Sequence, residues 1–164
     1  MLKYFIMLPL STTLNQQYSM LEKLSPESKF QLLGEITALM MSSPLHSKYT
    51  VGDVTKNFLP PLDLGQFRIY KKGKTPIALL TWAYLDDETS DKYANEQYDL
   101  QLGDWNKGKN LWFIDFIATQ NVIKEVEYDM KHNLFPNETG KALRADKSGM
   151  VSHIQEYFGI NYQK

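Results

Sequence analysis

Proton-transfer chemistry in this chain has few possible carriers. There is no cysteine, and the only histidines are His46, His132 and His153. A thiol nucleophile, a thiolate metal site, a disulfide and an enzyme-bound thioester are therefore excluded. Imidazole is the natural general base near neutral pH. His46 stands in Ser43-Pro44-Leu45-His46, an irregular stretch behind a proline-broken helix end, and such stretches often carry function when rigid elements hold them. By itself, a loop histidine bonded to backbone is the better explanation of the residue. His132 lies in the polar run Asp129-Met130-Lys131-His132-Asn133, where a solvated or helix-dipole role suffices. His153 lies in a late strand, where a structural role suffices.

Asp115 is the second unusual residue. It interrupts the apolar run Trp112-Phe113-Ile114-Asp115-Phe116-Ile117-Ala118. Strict alternation would put Leu111, Phe113, Asp115 and Ile117 on one strand face and Trp112, Ile114, Phe116 and Ala118 on the other. Both faces are apolar, which predicts a central strand covered on both sides. A carboxylate buried there needs a partner, because an unpaired charge costs several kcal/mol or neutralises. Arg68 and Arg144 are the only arginines. An imidazole is the other option, since a carboxylate can fix its tautomer and stabilise the imidazolium formed during proton transfer.

The elements that must position these groups follow from periodicity and punctuation. Leu14 to Leu24 reads as a short helix within an N-terminal arm over about residues 1–25. Ser25-Pro26-Glu27 offers a cap, a first-turn proline and an early acid, starting a helix that runs to about Met41. Ser42-Ser43-Pro44 stops it. A helix from Val51 to Phe58 is expected to end at Leu59-Pro60-Pro61-Leu62. Gln66–Lys71 and Pro76–Tyr84 read as a hairpin around Lys72-Gly73-Lys74. Asp86–Leu100 reads as a polar helix, Gly103–Asn110 as a loop, Leu111–Ala118 as a strand and Val122–Asn133 as a helix. Lys141–Asp146 and Met150–Phe158 close the chain as strands. This order predicts a single domain over residues 1–164, of α+β class, with a mostly antiparallel sheet flanked by helices.

Bulk properties narrow the function. A length of 164 residues with 43% hydrophobic and 23% charged residues is ordinary for one globular domain. The net charge of −1 gives no global field for nucleic acid. The apolar run Tyr4–Leu10 is short for a signal peptide, and no small-x-small site follows it. Nothing approaches the roughly 20 apolar residues of a membrane span. The absence of cysteine fits a reducing compartment, and a cytoplasmic location is expected. Walker-type, HExxH and G-x-S-x-G signatures are absent.

Several segments together resemble the toxin-activating lysine acyltransferases, the activators of RTX haemolysins. They are Ser42-Ser43-Pro44-Leu45-His46, Phe58-Leu59-Pro60-Pro61-Leu62, Pro76-Ile77-Ala78 with Thr81-Trp82-Ala83, Asp104-Trp105, Trp112 to Ala118, Phe135-Pro136 and Leu143-Arg144-Ala145-Asp146. The resemblance spans about residues 35–158. It implies a fold like the Gcn5-related N-acetyltransferases, GNAT-like and dimeric. It also implies transfer of a fatty acyl group from acyl carrier protein to internal lysines of an RTX protoxin. The donor would be the phosphopantetheine thioester, with no permanently bound cofactor and no metal. The family's essential histidine and aspartate fall on His46 and Asp115, and a serine it favours falls on Ser43. Thr119-Gln120-Asn121 replaces a common proline-phenylalanine-glycine turn, the N-terminal arm is longer than usual, and the longer C-terminal tail is expected to be absent.

The resemblance makes His46 a general base, with Asp115 as its orienting charge partner. Lysine has a reference pKa of about 10.4, so attack on a thioester requires a proton acceptor. Ser43 could cap a helix, donate to the carbonyl oxygen or act as nucleophile. Trp82, Tyr84 and Phe116 are candidates for an acyl groove. Lys71, Lys72, Lys74, Lys107 and Lys109 are candidates for contact with an acidic carrier protein. Two alternatives are a CoA-dependent small-acyl transferase of the same fold, disfavoured by the missing glycine-rich pyrophosphate loop, and a non-catalytic chaperone of a toxin.

Overall fold

A computed structural model describes residues 25–119, 121–146 and 150–163. The expected helix Leu14–Leu24 and the arm to which it belongs lie outside the described residues. The elements are α1 (Pro26–Met41), a 3-10 turn (His46–Lys48), α2 (Val51–Leu64), β1 (Phe67–Lys72), β2 (Thr75–Leu85), α3 (Asp87–Asn95), β3 (Asn110–Ala118), α4 (Ile123–Asp129), a π-helical turn (Met130–Leu134), β4 (Thr139–Ala145) and β5 (Val151–Phe158).

Helix starts follow their sequence signals. Ser25 caps α1 by accepting from the Ser28 amide, with Pro26 in the first turn. Thr50 and Asp53 form a reciprocal capping box on α2. Helix ends differ from expectation. Helix α2 does not stop at Phe58 but carries Pro60 and Pro61 inside it and ends at Gly65, whose φ is 67°. The two prolines forfeit backbone bonds, but Phe58, Pro60, Pro61 and Leu62 are all buried, and this packing holds the helix. Helix α3 ends at Asn95 rather than Leu100. Gln97 takes a positive φ of 51°, and Tyr98 and Gln101 both bond the Asp104 carboxylate instead of extending the helix.

The five strands form one sheet in the order β1-β2-β3-β4-β5. Only β3 and β4 are parallel, so the fold is α+β with a mostly antiparallel sheet. Helices α1 and α2 cover one face over Leu79 and Ile117, and α3 packs on the same face over Trp112. Helix α4 and the π-helical turn cover the other face over Leu80, Phe113 and Ala142.

Two irregularities in β3 break the regular sheet near its centre. Leu80 pairs with Phe116 and Trp82 with Phe113, so two residues of β3, Ile114 and Asp115, oppose the single residue Thr81. This is a β-bulge, and it breaks strict alternation. Phe113 and Phe116 fall on the α4 side, whereas Trp112, Ile114 and Ile117 face α1–α3. The expected grouping of Asp115 with Leu111 and Phe113 is corrected accordingly. The second irregularity is that β3–β4 pairing covers only Leu111–Phe113 against Gly140–Ala142, after which the strands part.

Candidate active site

Helix α1 ends where Ser42 turns its hydroxyl onto the Leu39 carbonyl, and Pro44 prevents the helix from continuing. The chain then folds into the tight turn that carries His46. Ser47 N–H bonds the Ser43 carbonyl, and Tyr49 N–H bonds the His46 carbonyl. This turn lays the imidazole against β3, where it is only 6% exposed.

Three groups meet there in a row. Ser43 Oγ lies 2.7 Å from His46 Nδ1, and His46 Nε2 lies 3.0 Å from Asp115 Oδ1. Asp115 is itself 7% exposed. An ionised carboxylate only accepts, so Nε2 must carry the hydrogen and donate to it. In the neutral ring Nδ1 is then the lone-pair nitrogen and accepts from the Ser43 hydroxyl. Asp115 thus selects the tautomer, and the basic nitrogen faces Ser43.

The arginine alternative for Asp115 is not what the fold uses. Arg68 sits 3.7 Å from the buried Asp129, which also accepts from Tyr70 at 2.8 Å. Arg144 lies over the Tyr157 ring. Among the described residues, no group of His, Asp or Glu is arranged to hold a metal ion.

The parting of β3 and β4 opens a cleft of about 250 Å³ beside His46 and Asp115. Its lining comes from both faces of the sheet. Leu80, Phe113, Phe116, Met130 and Ala142 line it on the α4 side; His46, Tyr49, Ile114 and Leu143 line it on the other. Glu127 and Arg144 add charge to the wall. His46 and Asp115 therefore stand in the wall of a cleft that mixes apolar side chains with polar and charged ones.

Tyr49 was not legible as a site residue. Its ring centroid is 5.1 Å from that of His46. Burial first, then the negative charge of Asp115, pushes its phenol up to about 12, so near neutral pH it is protonated and can donate. Its spacing from His46, one helical turn, is a signal only once His46 is known to sit in a turn. Tyr93 is pushed up for the same two reasons.

The other predicted positions divide. Phe116 lines the cleft, whereas Trp82 does not. Trp82 packs edge-on against Phe135 inside the core, with ring centroids 5.1 Å apart. Tyr84 donates to Glu138. Lys71 pairs with Glu35 at 2.6 Å and Lys107 with Asp86 at 3.0 Å. Lys72, Lys74 and Lys109 are exposed. His132 Nδ1 donates locally to the Tyr128 carbonyl, 2.9 Å away, and His153 is exposed on β5. Neither joins the site.

Comparison with known proteins gives a consistent set. The family model described as RTX toxin acyltransferase matches residues 25–158. The RTX-I toxin-activating lysine-acyltransferase ApxIC of Actinobacillus pleuropneumoniae is 37% identical over 135 residues, covering 82% of this chain and 78% of that protein. Protein-lysine palmitoyltransferase CyaC of Bordetella bronchiseptica is 32% identical over 139 residues, with 83% and 74% covered. Protein-lysine myristoyltransferase HlyC of Escherichia coli is 33% identical over 134 residues, with 82% and 78% covered.

Proposed function

The chain belongs to the RTX toxin acyltransferase family and is an acyltransferase, and from that membership we propose its reaction: a fatty acyl group passes from the phosphopantetheine thioester of acyl carrier protein to internal lysine side chains of a protoxin. His46 is the base and Asp115 its charge partner. The observation that carries this reading is the His46–Asp115 pair in the wall of the β3–β4 cleft, with Ser43 on the other ring nitrogen.

In the direct reaction the lysine Nζ attacks the thioester carbonyl carbon. As the C–N bond forms, a proton leaves the amine and the C–S bond then breaks, releasing the carrier's thiol. The proton passes to His46 Nδ1, where Asp115 stabilises the imidazolium from the opposite side of the ring, and is then handed to the departing thiolate, which leaves as the thiol. Ser43 Oγ is in contact with Nδ1, so its hydroxyl can relay that proton. The 2.7 Å contact also favours a second reading, in which Ser43 itself attacks the thioester and carries the acyl group as an ester before lysine receives it.

The cleft supports the donor assignment. Beyond Phe113 and Ala142, the facing edges of β3 and β4 have no mutual ladder. An extended arm with amide groups, such as phosphopantetheine, can pair with such edges in the manner of an added strand. This arrangement supports a GNAT-like fold. The apolar α4-side wall with Phe116 suits an alkyl chain. Ala78 pairs with Ala118, so the β1–β2 turn with Lys72 and Lys74 lies at the same end of the sheet as the open end of the cleft. Those lysines, with Lys71, are proposed to steer an acidic carrier, and carrier affinity should then weaken with added salt. A homodimer and a cytoplasmic location belong to the same proposal. No helix among the described residues is long and apolar enough to cross a membrane.

His46→Ala tests the centre of the proposal. It should lose roughly 10²–10⁴-fold in acylation of a protoxin fragment, equivalent to about 3–5 kcal/mol of barrier, while thermal melting shows a folded protein. Acylation near the wild-type rate by that variant would reject His46 as the base.

A further inference from the structure

The bulge in β3 places Asp115, and something must hold the bulge. With Ile114 and Asp115 both opposite Thr81, the regular β2–β3 ladder cannot serve both residues. The Asp115 amide instead donates to the Thr81 side-chain oxygen at 3.0 Å. Thr81 is 1% exposed. From Ile77 to Ala83 it is the only residue of β2 whose side chain carries an oxygen that can accept a hydrogen bond. A buried backbone N–H left without a partner is costly, so this hydroxyl has a polar task that valine could not perform.

The consequence reaches the imidazole. Without the extra residue, alternation would return Asp115 to the face of Phe113, which packs against α4 and the π-helical turn. His46 comes from the opposite face, at the end of α1. The bulge is therefore what allows a strand residue flanked by Ile114 and Phe116 to meet His46 Nε2. We propose that Thr81 is a positioning residue of the acyl-transfer site: by accepting from the Asp115 amide it pins the β3 bulge and holds the carboxylate on the His46 side of the sheet. The kinetic part of this inference rests on the acyltransferase reading of the site; the geometric part does not.

The test uses Thr81→Val, which keeps the shape and removes the acceptor, and Thr81→Ser, which restores the hydroxyl. In the resting protein the His46 Nε2–H proton, shared with Asp115, should give a downfield NMR resonance, assigned by its loss in His46→Gln. Thr81→Val is expected to shift or abolish that resonance and Thr81→Ser to keep it. In acylation assays Thr81→Val should lower kcat about 10–100-fold, the scale of a small misplacement at a reacting centre. KM for the acyl donor should stay within about twofold, because uniform binding is untouched. Thr81→Ser should recover most of the rate. Wild-type resonance and kcat in Thr81→Val would overturn the inference, as would a Ser variant no better than Val. If Thr81→Val does not fold, Thr81→Cys takes its place, since a thiol is only a weak acceptor. Cys must then fall clearly below Ser in kcat, and equality between them refutes the role. If the assumed reaction itself is wrong, no variant will show acylation, and the resonance alone decides whether Thr81 holds the pair.

Discussion

Asp115→Asn separates charge from shape at the centre of the site. The substitution is isosteric, so the packing of β3 against Thr81 and His46 stays. What disappears is the negative charge 3.0 Å from His46 Nε2. In the proposed reaction the ring accepts a proton during amine attack, and that charge then faces a new positive one. At an effective dielectric near 20, two such charges at this separation attract by about 5 kcal/mol, which is a ceiling because water and relaxation share the load. A loss of that size corresponds to roughly 10³–10⁴ in rate. The expected fall in kcat is therefore about 10²–10⁴-fold. The ground state loses less: one charge-assisted hydrogen bond is replaced by a neutral one, costing about 1–3 kcal/mol. For a chain of this size, that moves Tm by no more than about 10 °C. The assay is single-turnover transfer from an acyl-carrier thioester to a lysine-containing protoxin fragment, read by intact mass, beside a melting curve at the same pH. A kcat within tenfold of wild type would show that Asp115 is a structural partner of the ring and not a charge that acts in the reaction.

The Ser43 contact makes a sharper demand. Ser43→Ala should slow transfer, and quenched reactions of the parent protein should yield an acyl ester on Ser43 by peptide mass if the serine is the nucleophile; slowed transfer with no trapped ester assigns the serine to proton relay. Ala142, 8% exposed on the cleft wall, sets the space on the α4 side. Ala142→Leu should shift the preferred donor toward shorter chains in a competition among carrier thioesters, with an overpacking cost of about 1–3 kcal/mol in stability. An unchanged chain-length profile would place the alkyl chain elsewhere. Away from the site, the Thr89 hydroxyl and amide and the Lys107 ammonium lower the Asp86 carboxyl from 3.8 to about 2. Its folded value lies below its unfolded one, so its contribution is complete above about pH 4 and is lost as pH falls toward 2. Tm of Asp86→Asn should consequently depend less on pH than wild type across that window, and identical slopes would contradict the assignment.

The sequence showed some features well and hid others for physical reasons. Local capping signals were visible: Ser25-Pro26-Glu27 and the stop at Ser42-Ser43-Pro44 act within one turn, and the structure obeys both. The prolines at 60 and 61 misled because their effect depends on burial. A solvated helix would have ended there, but Phe58 and Leu62 anchor this one to the core. Trp82 and Phe116 read alike as aromatics on apolar strands, and only the parting of β3 from β4 makes Phe116 a cleft residue and leaves Trp82 in the core.

Asp115 shows how a buried imidazole–carboxylate contact can be anticipated through an incorrect geometry. Its buried charge demanded a partner, and that argument holds whichever face it occupies. Strict alternation, however, pointed it at the α4 side, where His46 could not reach. A one-residue bulge leaves no mark in the composition of β3, since Ile114 and Phe116 are equally apolar. Its trace is on the neighbouring strand, in the lone hydroxyl of Thr81 among Leu79, Leu80, Trp82 and Ala83. A buried threonine on an apolar strand and a buried carboxylate on the next strand are two polar residues with one explanation: each supplies what the other's backbone or side chain lacks, and the site exists because the ladder between them is broken at that point.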